Sequence, residues 1–226
     1  ALFSEALKRF AHKVEIIPYG VSDEWGNATP EEEEAARRIR GEYGTPLVLF
    51  VGRLVAYKGI SSLISAVPRV PGASFLIVGD GPLEAELKKQ AAELRVADRV
   101  HFLGRTPNLK PYYMACDLLV LPSINAVEMF GLVQLEAMSF GKPVVTSDLK
   151  TGVTYANLDG ETGLVFPAGN SEKLSEALKR LLFDEPLRLR MGRFAAERVK
   201  REFRSSVVGE KFVRLISGLC GKVDPA

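Results

Sequence analysis

Leu47-Val48-Leu49-Phe50-Val51-Gly52-Arg53-Leu54-Val55-Ala56-Tyr57-Lys58-Gly59 is an apolar run that stops at a glycine, crosses a short basic loop and gives way to a helical pattern. Five apolar residues in succession fit a strand buried on both faces, because a strand with one wet face alternates. The stretch therefore reads strand, loop, helix. In open parallel sheets, ligands bind beyond the carboxyl ends of such strands. Arg53 can fork onto two oxygens of an anion, and Lys58 can act beside it as a mobile point charge.

Outward from this stretch the same alternation continues. Thr29-Pro30-Glu31-Glu32 carries a capping threonine, a first-turn proline and a glutamate three residues after the cap. A helix is therefore predicted up to about Arg40, with a stop at Gly41. The acidic run 31–34 suits the positive end of that helix. Further strands are predicted at Phe75–Val78, Val100–Leu103, Leu118–Leu121 and Pro143–Thr146, with an edge strand at Leu164–Phe166. Helices are predicted at Ile60–Val67, Pro82–Arg95, Lys110–Ala115, Gly131–Phe140, Ser171–Phe183, Leu187–Arg201 and Val207–Leu219. Apolar strands interleaved with helices give an α/β fold, a doubly wound parallel sheet covered on both faces. Gly79-Asp80-Gly81 lies between a strand and a helix, but Glu84 stands where a dinucleotide fingerprint needs its third glycine. A tight turn beside the crevice is the expected use of those glycines.

Glu128-Met129-Phe130-Gly131-Leu132-Val133-Gln134-Leu135-Glu136 places two carboxylates eight positions apart around a predicted helix start. The first turn of a helix has unpaired N–H groups and a positive dipole end, so the amides of Phe130, Gly131 and Leu132 can face an anion. Glycine at 131 allows close approach. Glu136 sits among Leu135, Ala137 and Met138, and a buried carboxylate needs hydrogen-bonding partners. An acid at each end of this segment, with amides between them and cations nearby, suits a ligand bearing both hydroxyls and phosphate.

Phe50-Val51-Gly52-Arg53 with Lys58-Gly59, then Val78-Gly79-Asp80-Gly81-Pro82, then Glu128 to Glu136 followed by Ala137-Met138-Ser139-Phe140-Gly141-Lys142-Pro143-Val144-Val145, resemble retaining glycosyltransferases of GT-B architecture, in particular the large family-four group. The likeness runs from about Ile16 to about Phe203. It implies a Rossmann-like, C-terminal, donor-binding domain over 16–203. Residues 1–15 would then be an interdomain segment or a remnant of an upstream domain, and 204–226 a C-terminal helix and tail. The sequence is accordingly expected to be a fragment or truncated form whose partner is a missing N-terminal domain.

By the same resemblance, Arg53 and Lys58 hold the donor diphosphate and Glu128 lies near the reacting sugar carbon. Glu136 grips the ribose hydroxyls, and Arg105 borders the base. The implied reaction moves a sugar from a nucleotide-diphosphate donor to an acceptor hydroxyl on a glycan or lipid-linked sugar. It needs no cofactor beyond the nucleotide sugar itself, and no metal. Two departures stand out: Met129 occupies a position where relatives often have proline, and 148–155 lacks their glycine pair and proline-glutamate step, leaving that loop's conformation open. A sugar-nucleotide epimerase and a non-catalytic nucleotide-binding module remain alternatives. A retaining hydrolase fits less well, because its carboxyls must stand roughly 5–5.5 Å apart and a cationic phosphate site has no use there.

The 226 residues and 46% apolar content suit one large domain. A net charge of +2 gives no electrostatic case for nucleic acid. The balance is uneven, however: from Lys179 to Lys222 basic residues outnumber acidic ones by 12 to 5. That run is either a solvated helix face or a peripheral contact with an anionic membrane. Cys116 and Cys220 form no metal-ligand or disulfide pattern, and only two histidines, His12 and His101, are present. No Ser-His-Asp set or metal cluster can be assembled. Cysteines outside any disulfide framework give a reducing cytoplasm as the expected location. No apolar run reaches membrane-spanning length, and Ala1 does not open a signal peptide.

Overall fold

Strand β1 occupies Leu47–Val51, as its apolar run predicts, and all five residues are buried. It lies in a computed structural model that describes residues 5–220. Helices α1 (Glu5–Lys8) and α2 (Pro30–Tyr43) precede it. The chain then alternates through α3 (Ile60–Ala66), β2 (Ser74–Val78), α4 (Glu84–Glu93), β3 (Val100–Gly104), α5 (Lys110–Ala115), β4 (Leu118–Leu121), α6 (Leu132–Ser139), β5 (Val144–Ser147), α7 (Gly152–Ala156) and β6 (Gly163–Phe166). Helices α8 (Ser171–Phe183), α9 (Glu185–Arg198) and α10 (Ser205–Cys220) complete it.

Among the described residues, the six strands form one sheet in the order β3-β2-β1-β4-β5-β6, and every pairing is parallel. The chain winds outward from β1 to one edge, then returns to start the other half beside β1 at β4. That reversal between β1 and β4 is the switch point where such sheets open a crevice. Val48 and Phe50 pack with Phe75, Ile64, Leu87 and Leu178 on one face. Leu47, Leu49 and Val51 pack with Leu76, Tyr113, Leu135 and Met138 on the other. Two covered faces explain why β1 is apolar throughout rather than alternating. Each fully buried Leu or Phe stabilises the fold by about 1.5–3 kcal/mol relative to exposure.

Several predicted boundaries move for identifiable reasons. The predicted capping box of α2 is present, with Thr29 Oγ1 accepting from the Glu32 amide and Glu32 accepting from the Thr29 amide. The helix nonetheless runs through Gly41 to Tyr43 and ends at Gly44, because Ile39 and Tyr43 pack on the core. Helix α4 starts later than predicted because the turn before it is tied to the β1 loop, the Leu83 amide donating to the Leu54 carbonyl. After α9 the chain widens into a π-helical turn, Val199–Phe203. The loop left open at 148–155 contains α7, whose first turn is capped by Thr151.

His101 is half-buried on β3 with its ring 4.8 Å from Tyr43, and burial lowers its pKa. Cys116 is a fully buried free thiol whose pKa burial pushes up to about 12. Of the basic run, Arg190, Arg193 and Lys200 are exposed and have no acidic partner among the described residues. Arg198 is instead buried, donating to the Tyr155 and Ala156 carbonyls and pairing with Glu202 at 3.0 Å. Lys222 and residues 1–4 lie outside the described residues. Among the described residues, no helix is long and apolar enough to cross a membrane.

Candidate functional site

The exits of β1 and β4 are packed against each other by main chain. The Ile124 amide donates to the Tyr57 carbonyl at 2.8 Å, so the loop carrying Lys58 and the loop carrying Glu128 are held side by side. Across this junction Lys58 Nζ lies 2.5 Å from Glu128 Oε2. The same oxygen accepts from Ser123 Oγ at 2.8 Å. Both charged side chains are largely withdrawn from solvent, 13% exposed for Lys58 and 9% for Glu128. A pair this buried holds together through its extra hydrogen bond, since desolvation offsets much of the Coulomb gain. Ser123, fully buried just beyond β4, was not singled out in the sequence. Its only signal there was its place directly after an apolar strand and Pro122.

Helix α6 opens at Gly131, which adopts a left-handed conformation with φ 70 and ψ 69 and provides no side-chain cap. The amides of Phe130, Gly131 and Leu132 find no acceptor among the described residues. A side chain at 131 would be strained by that φ and would strike Leu121. Packing therefore demands glycine here, in addition to any approach by a ligand. The Phe130 ring turns away into the core, 6.1 Å from Phe203 and 5.5 Å from Tyr19. Only its main chain is available to the crevice. Met129 is exposed, and its carbonyl accepts from the Gly152 amide, tying this turn to α7.

One turn into α6, Glu136 is half-buried and its Oε2 accepts from the Tyr113 hydroxyl at 2.6 Å. Burial raises the Glu136 pKa, opposed by the hydrogen bond from Tyr113. Tyr113 is completely buried on α5, and its own pKa is driven well above 10 by burial and then by the Glu136 charge. The phenol therefore remains the donor.

Arg53 and Arg105 line a separate hollow of about 370 Å³ with Gly52, Gly79, Asp80, Thr106 and Leu109, at the exits of β1, β2 and β3. The two halves touch at Gly52: a methyl group placed there would sit 3.6 Å from Lys58 Cε. Gly79 lies so close to the Gly52 carbonyl that no side chain fits, and the Leu54 amide donates to the Asp80 carbonyl at 2.8 Å. The Gly79-Asp80-Gly81 turn therefore serves close packing of two loops beside the hollow. The geometry brings together Arg53 with Arg105, and Lys58 with Glu128. It leaves Glu136 bonded to Tyr113, with no direct hydrogen bond to the other candidates among the described residues. No group of three or more His, Cys, Asp or Glu able to hold a metal occurs among the described residues.

The doubly wound parallel domain, with charged groups gathered at its switch point, matches a GT-B half-domain in architecture. The profile of the family described as glycosyl transferases group 1 matches residues 32–198, and the chain belongs to that family. It is 36% identical to the D-rhamnosyltransferase WbpZ of Pseudomonas aeruginosa over 88% of this chain and 52% of the relative. It is 30% identical to the O-antigen chain mannosyltransferase C of Escherichia coli over 96% of this chain and 57% of the relative. The crystal structure of Anabaena Alr3699/HepE in complex with UDP and glucose is similar at a TM-score of 0.81 and 25% identity, covering 92% of this chain and 57% of that one. The chain spans about half the length of the curated relatives it matches.

Proposed function

We propose that this chain is the donor-binding half of a retaining glycosyltransferase that moves a sugar from a nucleotide-diphosphate donor to an acceptor hydroxyl. The observation that carries it is the Lys58–Glu128 pair, which spans the switch point beside the uncapped start of α6. An ammonium has three donors, so Lys58 can hold Glu128 with one and a diphosphate oxygen with another. Arg53, exposed at the neighbouring hollow, and the 130–132 amides supply the remaining positive field. When the bond from the sugar carbon to the diphosphate oxygen breaks, the bonding pair departs with the diphosphate. Those groups oppose the charge that builds there, each donor being worth about 3–4 kcal/mol in such settings. Glu128, fixed by Lys58 and Ser123, faces the positive character that grows on the sugar ring. Glu136 takes the ribose hydroxyls, and Arg105 borders the base.

The Anabaena protein, described as in complex with UDP and glucose, supports a uridine nucleotide as the first donor class to test. Acceptor-side groups are assigned to the portion of the relatives' length that this chain does not span, and the acceptor to a glycan or lipid-linked sugar. The exposed Arg190, Arg193 and Lys200 are compatible with a peripheral site on an anionic membrane.

Calorimetry with UDP and GDP, paired with a transfer assay on the longer protein, tests the site. Glu136→Ala is expected to weaken nucleotide binding about tenfold or more, since hydrogen bonds to a charged group are at stake. Glu128→Gln is expected to slow transfer on the order of a hundredfold while changing nucleotide affinity little. Unchanged affinity in Glu136→Ala would reject its ribose role. Nucleotide release that does not depend on an acceptor would favour an epimerase, and binding without any turnover would favour a non-catalytic module.

A further inference from the structure

We propose that Tyr113 is a positioning residue of the ribose subsite, its buried hydroxyl holding one oxygen of Glu136 so that the carboxylate presents its remaining lone pairs to the two ribose hydroxyls. This rests on the assignment of Glu136 to the donor ribose.

A carboxylate on a glutamate side chain can spin about its last bond, and one oxygen held at 2.6 Å stops that rotation. The group that stops it is itself immobile. The Tyr113 ring is fully buried, stacks on Phe140 at 6.4 Å with planes 10° apart, and receives the edge of Trp25 at 5.7 Å. Trp25 also packs edge-on against Phe140 at 6.0 Å, so three aromatic rings brace one hydroxyl. Tyr113 and Glu136 come from different helices, α5 and α6, and Phe140 directly follows α6. The hydrogen bond therefore also fixes the depth of α6 against α5. Burial favours the protonated phenol, which donates to Glu136.

The acceptor capacity is also matched. A carboxylate offers about four lone-pair sites, and one is filled by the phenol. That leaves enough for two vicinal hydroxyls. A donor site built this way pays little ordering entropy when the nucleotide arrives, because its acid is already oriented.

The experiment measures Kd for UDP and for 2′,3′-dideoxy-UDP, and for GDP and its dideoxy counterpart, with the wild type, Tyr113→Phe, Glu136→Ala and the double variant. The expected result is a wild-type preference for the ribonucleotide that falls about fivefold to tenfold in Tyr113→Phe, with dideoxynucleotide affinity unchanged. In the Glu136→Ala background, Tyr113→Phe is expected to have no further effect on that preference. Phe140→Leu, which keeps the hydroxyl but loosens the stacked ring, should lower the preference about twofold, a second readout should Tyr113→Phe fail to fold.

A preference unaltered in Tyr113→Phe, or equal weakening of both nucleotides, would overturn the proposal and leave Tyr113 a packing residue. Persistence of the Tyr113→Phe effect without Glu136 would overturn it too. If Glu136→Ala itself leaves the preference intact, the ribose assignment is what fails. If no ribonucleotide binds, the donor site as a whole fails.

Discussion

At Glu136 the proposed binding role and a stability cost fall on one side chain. Burial raises its folded carboxyl above the ordinary 4.5, so the ionised form is disfavoured in the native state. At pH values above the folded pKa that cost is fully present. It fades as pH falls through the folded pKa, and it is gone below the unfolded value. Glu136→Gln keeps an acceptor for Tyr113 but carries no charge, so it is expected to raise Tm at pH 7, with the gap to wild type closing as the pH approaches 4.5. A thermal melt series across pH 4–8 checks this, and a gap that widens on acidification would contradict the burial argument. The same variant is expected to bind nucleotide less well, since a neutral amide accepts hydrogen bonds more weakly than a carboxylate. At Lys58 and Glu128 no such simple exchange is available. Removing either leaves the other charge buried beside Ser123, and that alone costs about 3–5 kcal/mol. Glu128→Gln keeps an acceptor for Lys58 and Ser123 but leaves the lysine charge uncompensated, so its Tm is measured beside its transfer rate.

At the scale of elements, two glycines make opposite predictions. Gly41 lies inside α2 with open space around it, so Gly41→Ala is expected to stabilise by about 0.5–1 kcal/mol. Gly79 has φ +136 and faces the Gly52 carbonyl at contact, so Gly79→Ala is expected to destabilise by at least about 2 kcal/mol. Urea midpoints for the two variants, moving in opposite directions, check both. These glycines also mark what the sequence reveals and what it hides. Buried strands were legible because an apolar run bounded by turn residues has few other uses, and Leu47–Val51 and Leu118–Leu121 fall where the pattern puts them. The end of α2 was misplaced, because local propensity at Gly41 is outweighed by the distant packing of Ile39 and Tyr43. Helix α7 was not resolved at all: its five residues are too few for a periodic pattern, and its position depends on Gly152 bonding to Met129. In the candidate site, Arg53 and Lys58 stood out as cations in the loop after an apolar strand, and Glu128 and Glu136 as acids before and within an apolar helix. Ser123 and Tyr113 did not, since a buried serine after a strand and one tyrosine of an adjacent pair become meaningful only when another loop or helix is folded against them.

For the molecule as a whole, the sheet order places the candidate site at the seam between two windings. Residues 5–220 contain the sheet, both its covering layers and the groups proposed to face the nucleotide, so the isolated chain is expected to bind nucleotide. It is expected to transfer little sugar, because the proposed function assigns the acceptor-side groups to the part of the relatives' length that this chain does not span. A radiolabelled-sugar assay comparing residues 1–226 with the longer protein measures this, and robust transfer by the chain alone would contradict that assignment. Cys116 offers a way to follow nucleotide binding without knowing the reaction. Its thiol is fully buried at the end of α5 and stays protonated at neutral pH, so an alkylating reagent can reach it only during transient openings of the native state. In a Cys220→Ser background, the labelling rate becomes a clock that counts those openings. Any nucleotide that occupies the folded form should slow the clock in proportion to its occupancy, turning an inert core sulfur into a sensor for which base the protein prefers.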